Sequence, residues 1–167
     1  MTVNIVQKDS EVLRQKAELV SASDIGSPKL NKILADMSSA LASCDDGVAL
    51  ACPQIGISLR IFVVSKKLFT PDTGETEKDV TDVVFINPEI TKMSKRKVEM
   101  DEGCLSVRHI YGKTKRSTKA TVTAYDEFGN KFSWSGSGLM AQIFQHEIDH
   151  LDGILFTDHA ASLRNEK

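Results

Sequence analysis

The chain has 167 residues, 41% apolar and 26% charged, a size and balance expected of a single folded domain spanning 1–167. A formal net charge of −2 gives no overall basic field, so DNA is not an expected partner. Met1 to Lys8 lack the apolar core of a signal peptide, no run reaches the roughly 18 apolar residues of a membrane span, and an odd count of three cysteines argues against a disulfide framework, so a reducing compartment is the expectation rather than secretion or a membrane.

Ser27-Pro28 reads as an N-cap followed by proline in the first helical turn. Leu30, Ile33, Leu34, Met37 and Leu41 then recur at helical spacing, predicting an amphipathic helix to about Ser43, ended by Asp45-Asp46-Gly47. Leu59 to Val64 has the apolar run of a buried strand. Lys66 to Asp82 is polar and is expected to be a surface loop, with a turn at Pro71-Asp72-Thr73-Gly74. Val83 to Asn87 predicts a strand stopped by Pro88, and Ile90 to Met93 and Lys97 to Met100 predict two more. Ala120 to Tyr125 and Lys131 to Trp134, joined by Glu127-Phe128-Gly129-Asn130, read as a hairpin. Leu139, Met140, Ile143 and Phe144 predict a late helix, with Ser137 as its N-cap and Gly153 beyond its end. Several short strands with one early and one late helix indicate an α+β domain. The basic clusters Lys95-Arg96-Lys97 and Lys113, Lys115, Arg116 and Lys119 are expected to be solvated faces.

The chemistry concentrates in the late helix, at His146-Glu147-Ile148-Asp149-His150. Residues four apart on a helix lie on one face, one turn above the other. Two imidazoles so placed can hold one divalent metal, with Glu147 beside any water on that metal, the arrangement of a metal-assisted hydrolase. Such a site needs a third protein ligand and an open position. The extended protease pattern that supplies another histidine fails here, because Phe156 stands in its place. Asp158 and His159 remain downstream, although only 17 residues follow His150 and the segment would have to fold back. The more favourable source is upstream. Cys104, in Glu102-Gly103-Cys104-Leu105-Ser106, is a good candidate, since a thiolate bonds strongly to a borderline-soft ion. Composition alone does not separate it from Cys52 or Cys44. The small residues of Gly47 to Gly56 allow close backbone approach. Gln54 adds a neutral amide able to donate to an oxyanion.

Taken together, Gly47 to Gly56, Glu102 to Ser106 and Gln145 to Gly153 resemble, in order and spacing, the three motifs of the peptide deformylases. The second and third motifs are complete; the first matches at Gly47, Leu50, Ala51, Gln54, Ile55 and Gly56. Asp9, Leu13-Arg14 and Leu155-Phe156 extend the resemblance over nearly the whole chain.

The resemblance implies antiparallel sheets packed around a central metal-binding helix, with an N-terminal helix. It implies Cys104, His146 and His150 as ligands of one divalent metal ion, Fe2+ in cells, with Zn2+, Ni2+ or Co2+ able to replace it. Glu147 would be the general base and acid, and Gln54 with the Leu105 N–H the oxyanion donors. Gly47, Val48, Ala49, Met100, Gly103, Leu139 and Ile143 would contact substrate. The implied reaction removes the N-formyl group from the N-terminal methionine of new bacterial or organellar proteins: metal-bound hydroxide attacks the formyl carbon and formate leaves. Partners would be N-formylmethionyl peptides and nascent chains, in the cytoplasm or an organelle. Some members dock on the ribosome through a longer basic C-terminal helix, and this chain stops soon after Leu163-Arg164, so that partner is not expected. Three departures stand out. Ala49 replaces a motif glycine, Cys52 replaces an alanine, and Arg108-His109 stands where many members have proline and a small residue. Ala49 and Arg108 motivate an alternative, a deformylase-like hydrolase with altered N-acyl peptide preference. A zincin-type endopeptidase and a non-catalytic metal-binding protein fit the residues less well.

Overall fold

Helix α1 follows directly from its capping and periodicity. In the computed structural model, which describes residues 3–69 and 81–166, α1 runs Pro28–Ala42. The Ser27 hydroxyl accepts from the Leu30 N–H at 3.2 Å, satisfying one of the donors a helix start leaves orphaned. Leu30, Ile33, Leu34, Met37 and Leu41 are buried. They form one apolar cluster with Leu50, Ile61, Val63 and Ile86.

Among the described residues there are eight strands: β1 Ala49–Ala51, β2 Ile61–Val64, β3 Val83–Met93, β4 Lys97–Cys104, β5 Val107–Ser117, β6 Lys119–Tyr125, β7 Lys131–Ser137 and β8 Ala161–Asn165. One sheet has the order β1-β2-β3-β6-β7 and the other β4-β5-β8, and every neighbouring pair is antiparallel. β1 and β4 therefore each end a sheet. Helix α2, Leu139–Leu151, touches β1, β5, β6 and β7 and so bridges the two sheets. Its Phe144 ring meets Phe85 edge-on at 5.6 Å, and Phe85 stacks on Phe62 at 4.4 Å. Each fully buried phenylalanine contributes on the order of 1.5–3 kcal/mol, which fixes how deep α2 sits.

The two helices form as expected, the hairpin expected at Ala120 to Tyr125 and Lys131 to Trp134 forms with β7 running on to Ser137, and the strand expected at Leu59 to Val64 forms over Ile61–Val64. Pro88, however, does not stop a strand: β3 runs through it, joining the two predicted pieces. The register shifts between Ile86 and Glu89, and Asn87 takes φ 51. The Asn87 side chain makes good the interruption, accepting from the Val20 N–H at 2.8 Å and donating to the Val20 carbonyl at 2.9 Å. A bulge thus accommodates a residue that cannot donate to a ladder. β1, β5 and β8 were not expected at all. Ser137 is not the cap of α2 but the last residue of β7; Gly138 takes that place at φ 57, ψ −126, backbone that suits only glycine. Gly153 follows the α2 C-cap at φ 78, and a Cβ there would lie 2.7 Å from the Arg14 carbonyl oxygen. Lys66–Leu68 forms a single 3-10 turn, and the turn expected at Pro71 to Gly74 lies outside the described residues.

Candidate metal centre

α2 presents His146 and His150 on its inward face, one turn apart, and the end of β4 brings Cys104 to meet them. Cys104 Sγ lies 3.2 Å from His150 Nε2. One ligand atom from each of the three residues falls within 4.8 Å of the others. His146 Nδ1 lies 3.1 Å from Glu102 Oε2, which leaves Nε2 as the free ring nitrogen facing the cluster. A carboxylate behind a ligating imidazole fixes its tautomer and orientation.

Glu102 is itself held on every side. Arg116 donates from Nη2 to Oε2 at 2.6 Å and from Nε to Oε1 at 3.0 Å. Thr114 Oγ1 and Gln142 Nε2 donate to Oε1, each at 3.2 Å. Burial alone would raise the Glu102 carboxyl, but the hydrogen bonds from His146 and Arg116 outweigh it and hold the group well below the usual carboxylate range. Arg116 also donates to Asp149 Oδ2 at 2.8 Å. It is 5% exposed, so it is no part of a solvated basic face. Its charge is neutralised internally, and it supports a ligand through Glu102.

The donor set suits a divalent cation. Burial would raise the Cys104 thiol, yet the neighbouring His150 and His146 bring it well below its ordinary value. The pocket thus favours a thiolate facing positive charge, which is what a bound metal would supply. Glu147 is 4% exposed, and its Oε2 has no hydrogen-bond partner among the described residues. Burial raises its carboxyl above the ordinary value, against the pull of His146 and His150. A buried carboxyl with one free oxygen beside a metal-ligand cluster is suited to taking up and returning a proton.

Gln54 lies on the other side of the cluster. Its Oε1 accepts from the Ala51 N–H at 2.9 Å, while Nε2 donates to Ser106 Oγ at 3.0 Å and lies 3.7 Å from Cys104 Sγ. The amide is therefore fixed in orientation. The Val6 N–H donates to the Gln54 carbonyl at 2.9 Å, and Gln7 Nε2 donates to the Leu105 carbonyl at 3.1 Å. One N-terminal segment thus braces both residues expected to serve an oxyanion.

These groups open into a cleft of about 270 Å³. Gly47, Val48, Ala49, Gln54, Gly103, Leu105, Leu139 and Ile143 line it, together with Cys104, His146 and Glu147. Met100 does not. It shares the pleat face of Glu102 on β4, one pleat farther along the strand from Cys104. Tyr111 and Gln142 also line it and were missed. Gln142 stands one turn before His146, a signal the helical period could have revealed, and its Nε2 donates to the Asp101 carbonyl at 2.8 Å. Tyr111 packs so closely on Gly103 that a Cβ there would lie 2.6 Å from its ring. Cys52 is buried elsewhere, its thiol pushed up to about 12 by burial. Cys44 lies beside Arg108, 3.5 Å from Nη2. Asp158 pairs with Arg14 at 2.6 Å and His159 lies 3.6 Å from Asp149. None of these four joins the ligand cluster.

The sequence model of a family described as Polypeptide deformylase matches residues 2–166. Peptide deformylase 2 of Clostridium acetobutylicum is 42% identical over 150 residues, 90% of this chain and 89% of that one. A peptide deformylase from Legionella pneumophila is similar in structure, with a TM-score of 0.82 at 36% identity over 97% of this chain and 88% of that chain. A class I type b peptide deformylase from Acinetobacter baumannii, in a structure bound to Met-Ala-Ser, gives a TM-score of 0.82 at 30% identity over 95% of this chain and 99% of that chain.

Proposed function

The chain belongs to the polypeptide deformylase family, and on that premise we propose how its residues carry out the reaction. The protein is a hydrolase that removes the N-formyl group from the N-terminal methionine of new peptides, releasing formate. One observation carries the assignment of roles: the convergence of Cys104, His146 and His150 beside a buried Glu147 with a free carboxylate oxygen.

Cys104 Sγ and one nitrogen each of His146 and His150 would hold one divalent metal ion. Fe2+ is the ion we assign in cells; Zn2+, Ni2+ and Co2+ suit the same donors. When bound, the ion supplies a water of lowered pKa and a positive charge for the developing oxyanion. Glu147 takes the proton of the attacking water and gives it to the departing amine, so the C–N bond breaks with the nitrogen neutral. Gln54 Nε2 and the Leu105 N–H donate to the oxyanion; loss of one such donor typically costs about 2.7–4 kcal/mol of barrier. Val48, Leu139 and Ile143 surround the methionine side chain. The peptide lies extended between β1 and β4, whose outer edges both border the cleft.

No helix among the described residues is long and apolar enough to cross a membrane; we place the activity in the cytoplasm of a bacterium or inside an organelle, acting on nascent chains. Formate release from formyl-Met-Ala-Ser by protein loaded anaerobically with iron or nickel tests the reading. Release no greater than from the Glu147→Ala variant refutes it. Ala49 supports a second reading, altered N-acyl peptide preference, because its methyl group stands on the cleft wall. Under that reading Ala49→Gly raises turnover of formyl-Met peptides several-fold; unchanged turnover rejects it.

A further inference from the structure

The cleft wall carries an ion pair that the reaction itself does not use. Arg108 stands at the start of β5 and Asp46 in the turn before β1, and both line the cleft. Arg108 Nη1 donates to Asp46 Oδ2 at 2.8 Å. The contact is to one carboxylate oxygen through one guanidinium nitrogen, and among the described residues Nη2 donates to the weak acceptor Cys44 Sγ at 3.5 Å. The side chains are 36% and 59% exposed, so the guanidinium is the less exposed of the two and retains donors for a second acceptor.

Its position relative to the chemistry follows from chain direction. Gln54 touches the ligand cluster at one end of the β1 segment; going back through Ala49 and Gly47 to Asp46 leads away from it. A peptide extended from the metal centre advances about 3.3 Å per residue, so the residues after methionine pass the Arg108–Asp46 pair. Neighbouring charges are otherwise engaged. Asp101 lies 2.8 Å from Lys113 and 3.6 Å from Arg164. Lys67 donates to the carbonyls of Cys44 and Asp45.

We propose that Arg108 is a specificity-determining residue that recognises a carboxylate on the second or third residue of the substrate, with Asp46 holding the guanidinium in place and damping its charge. This rests on the deformylation reading and extends it to a substrate class: formylmethionyl peptides with an acidic residue just after methionine. The fork geometry of arginine suits a carboxylate arriving beside Asp46. Asp46 itself is held ionised, its carboxyl lowered chiefly by the hydrogen bond from Arg108.

The test compares kcat/KM for C-terminally amidated formyl-Met-Asp-Ser and formyl-Met-Ala-Asp against the same peptides with lysine in place of aspartate. The metal-loaded protein is used, with formyl-Met-Ala-Ser amide as reference. The wild-type chain is expected to favour the acidic peptides by about threefold at low salt, within the range of a solvent-exposed charge pair. The preference shrinks as salt rises. Arg108→Gln brings the ratio to about one, Arg108→Lys keeps a preference, and Asp46→Asn enlarges it. Because each ratio is internal to one variant, a general loss of activity does not hide the result. A wild-type ratio at or below one, or a ratio that Arg108→Gln leaves unchanged, overturns the proposal while leaving deformylation intact. No formate from any peptide overturns both.

Discussion

Arg108 and Arg116 lie on the same strand, β5, and each pairs with a carboxylate, yet the two pairs do different things. The side chains of Arg116 and Glu102 are 6% and 3% exposed and joined by two hydrogen bonds, with Thr114 and Gln142 also donating to the carboxylate. Arg108 and Asp46 share one bond at the cleft rim, 36% and 59% exposed. Burial decides the difference. The inner pair cannot exchange partners without stranding a charge away from water, so it acts as fixed support for His146. The outer pair can exchange, so it is free to meet a ligand.

Breaking the inner pair separates the two most sharply. Arg116→Ala leaves Glu102 and Asp149 without their cation and is expected to cost about 3–5 kcal/mol, read by denaturant unfolding. A loss below ~1 kcal/mol would place the pair in the same class as the outer one. Glu102→Gln keeps the shape but weakens the brace on His146, and metal affinity should fall about 10- to 100-fold, measured by competition with a chelator. The smallest effect belongs to the rim. Arg108→Ala should change stability by less than about 1 kcal/mol, given the exposure of the pair. Its pH dependence has a definite sign. The folded Asp46 carboxyl is lowered, so its contribution is present above the unfolded value of about 3.9 and fades as pH falls through the lower folded value. Unfolding curves of Asp46→Asn and wild type should converge below about pH 4; a gap that widens there contradicts the pairing.

The same two regions show what could be read from sequence. The α1 cap, the hairpin and the His146–His150 face depend on local spacing, and all three are in place. β5 was hidden because its buried face carries Gly112, Thr114 and Arg116, which show no apolar alternation; their partner is Glu102 on β4. β8 is exposed at every residue, so no burial pattern marks it. β3 continues through Pro88 because Asn87 bonds to Val20, a partner distant in sequence. Within the site, Cys104 could be chosen over Cys44 and Cys52 only through family resemblance, since nothing local distinguishes a ligand thiol. Gln142 was missed although it stands one turn before His146. Tyr111 faces the cleft only because Gly103 leaves room for its ring.

The central claim separates residues that hold the metal from the residue that moves the proton. It is tested most directly by measuring metal content and formate release on the same anaerobic samples of wild type, Cys104→Ala and Glu147→Ala. The account predicts stoichiometric metal and turnover of formyl-Met-Ala-Ser in the wild type, loss of both in Cys104→Ala, and retained metal without turnover in Glu147→Ala. Turnover surviving in metal-loaded Glu147→Ala, or full metal binding by Cys104→Ala, would contradict it.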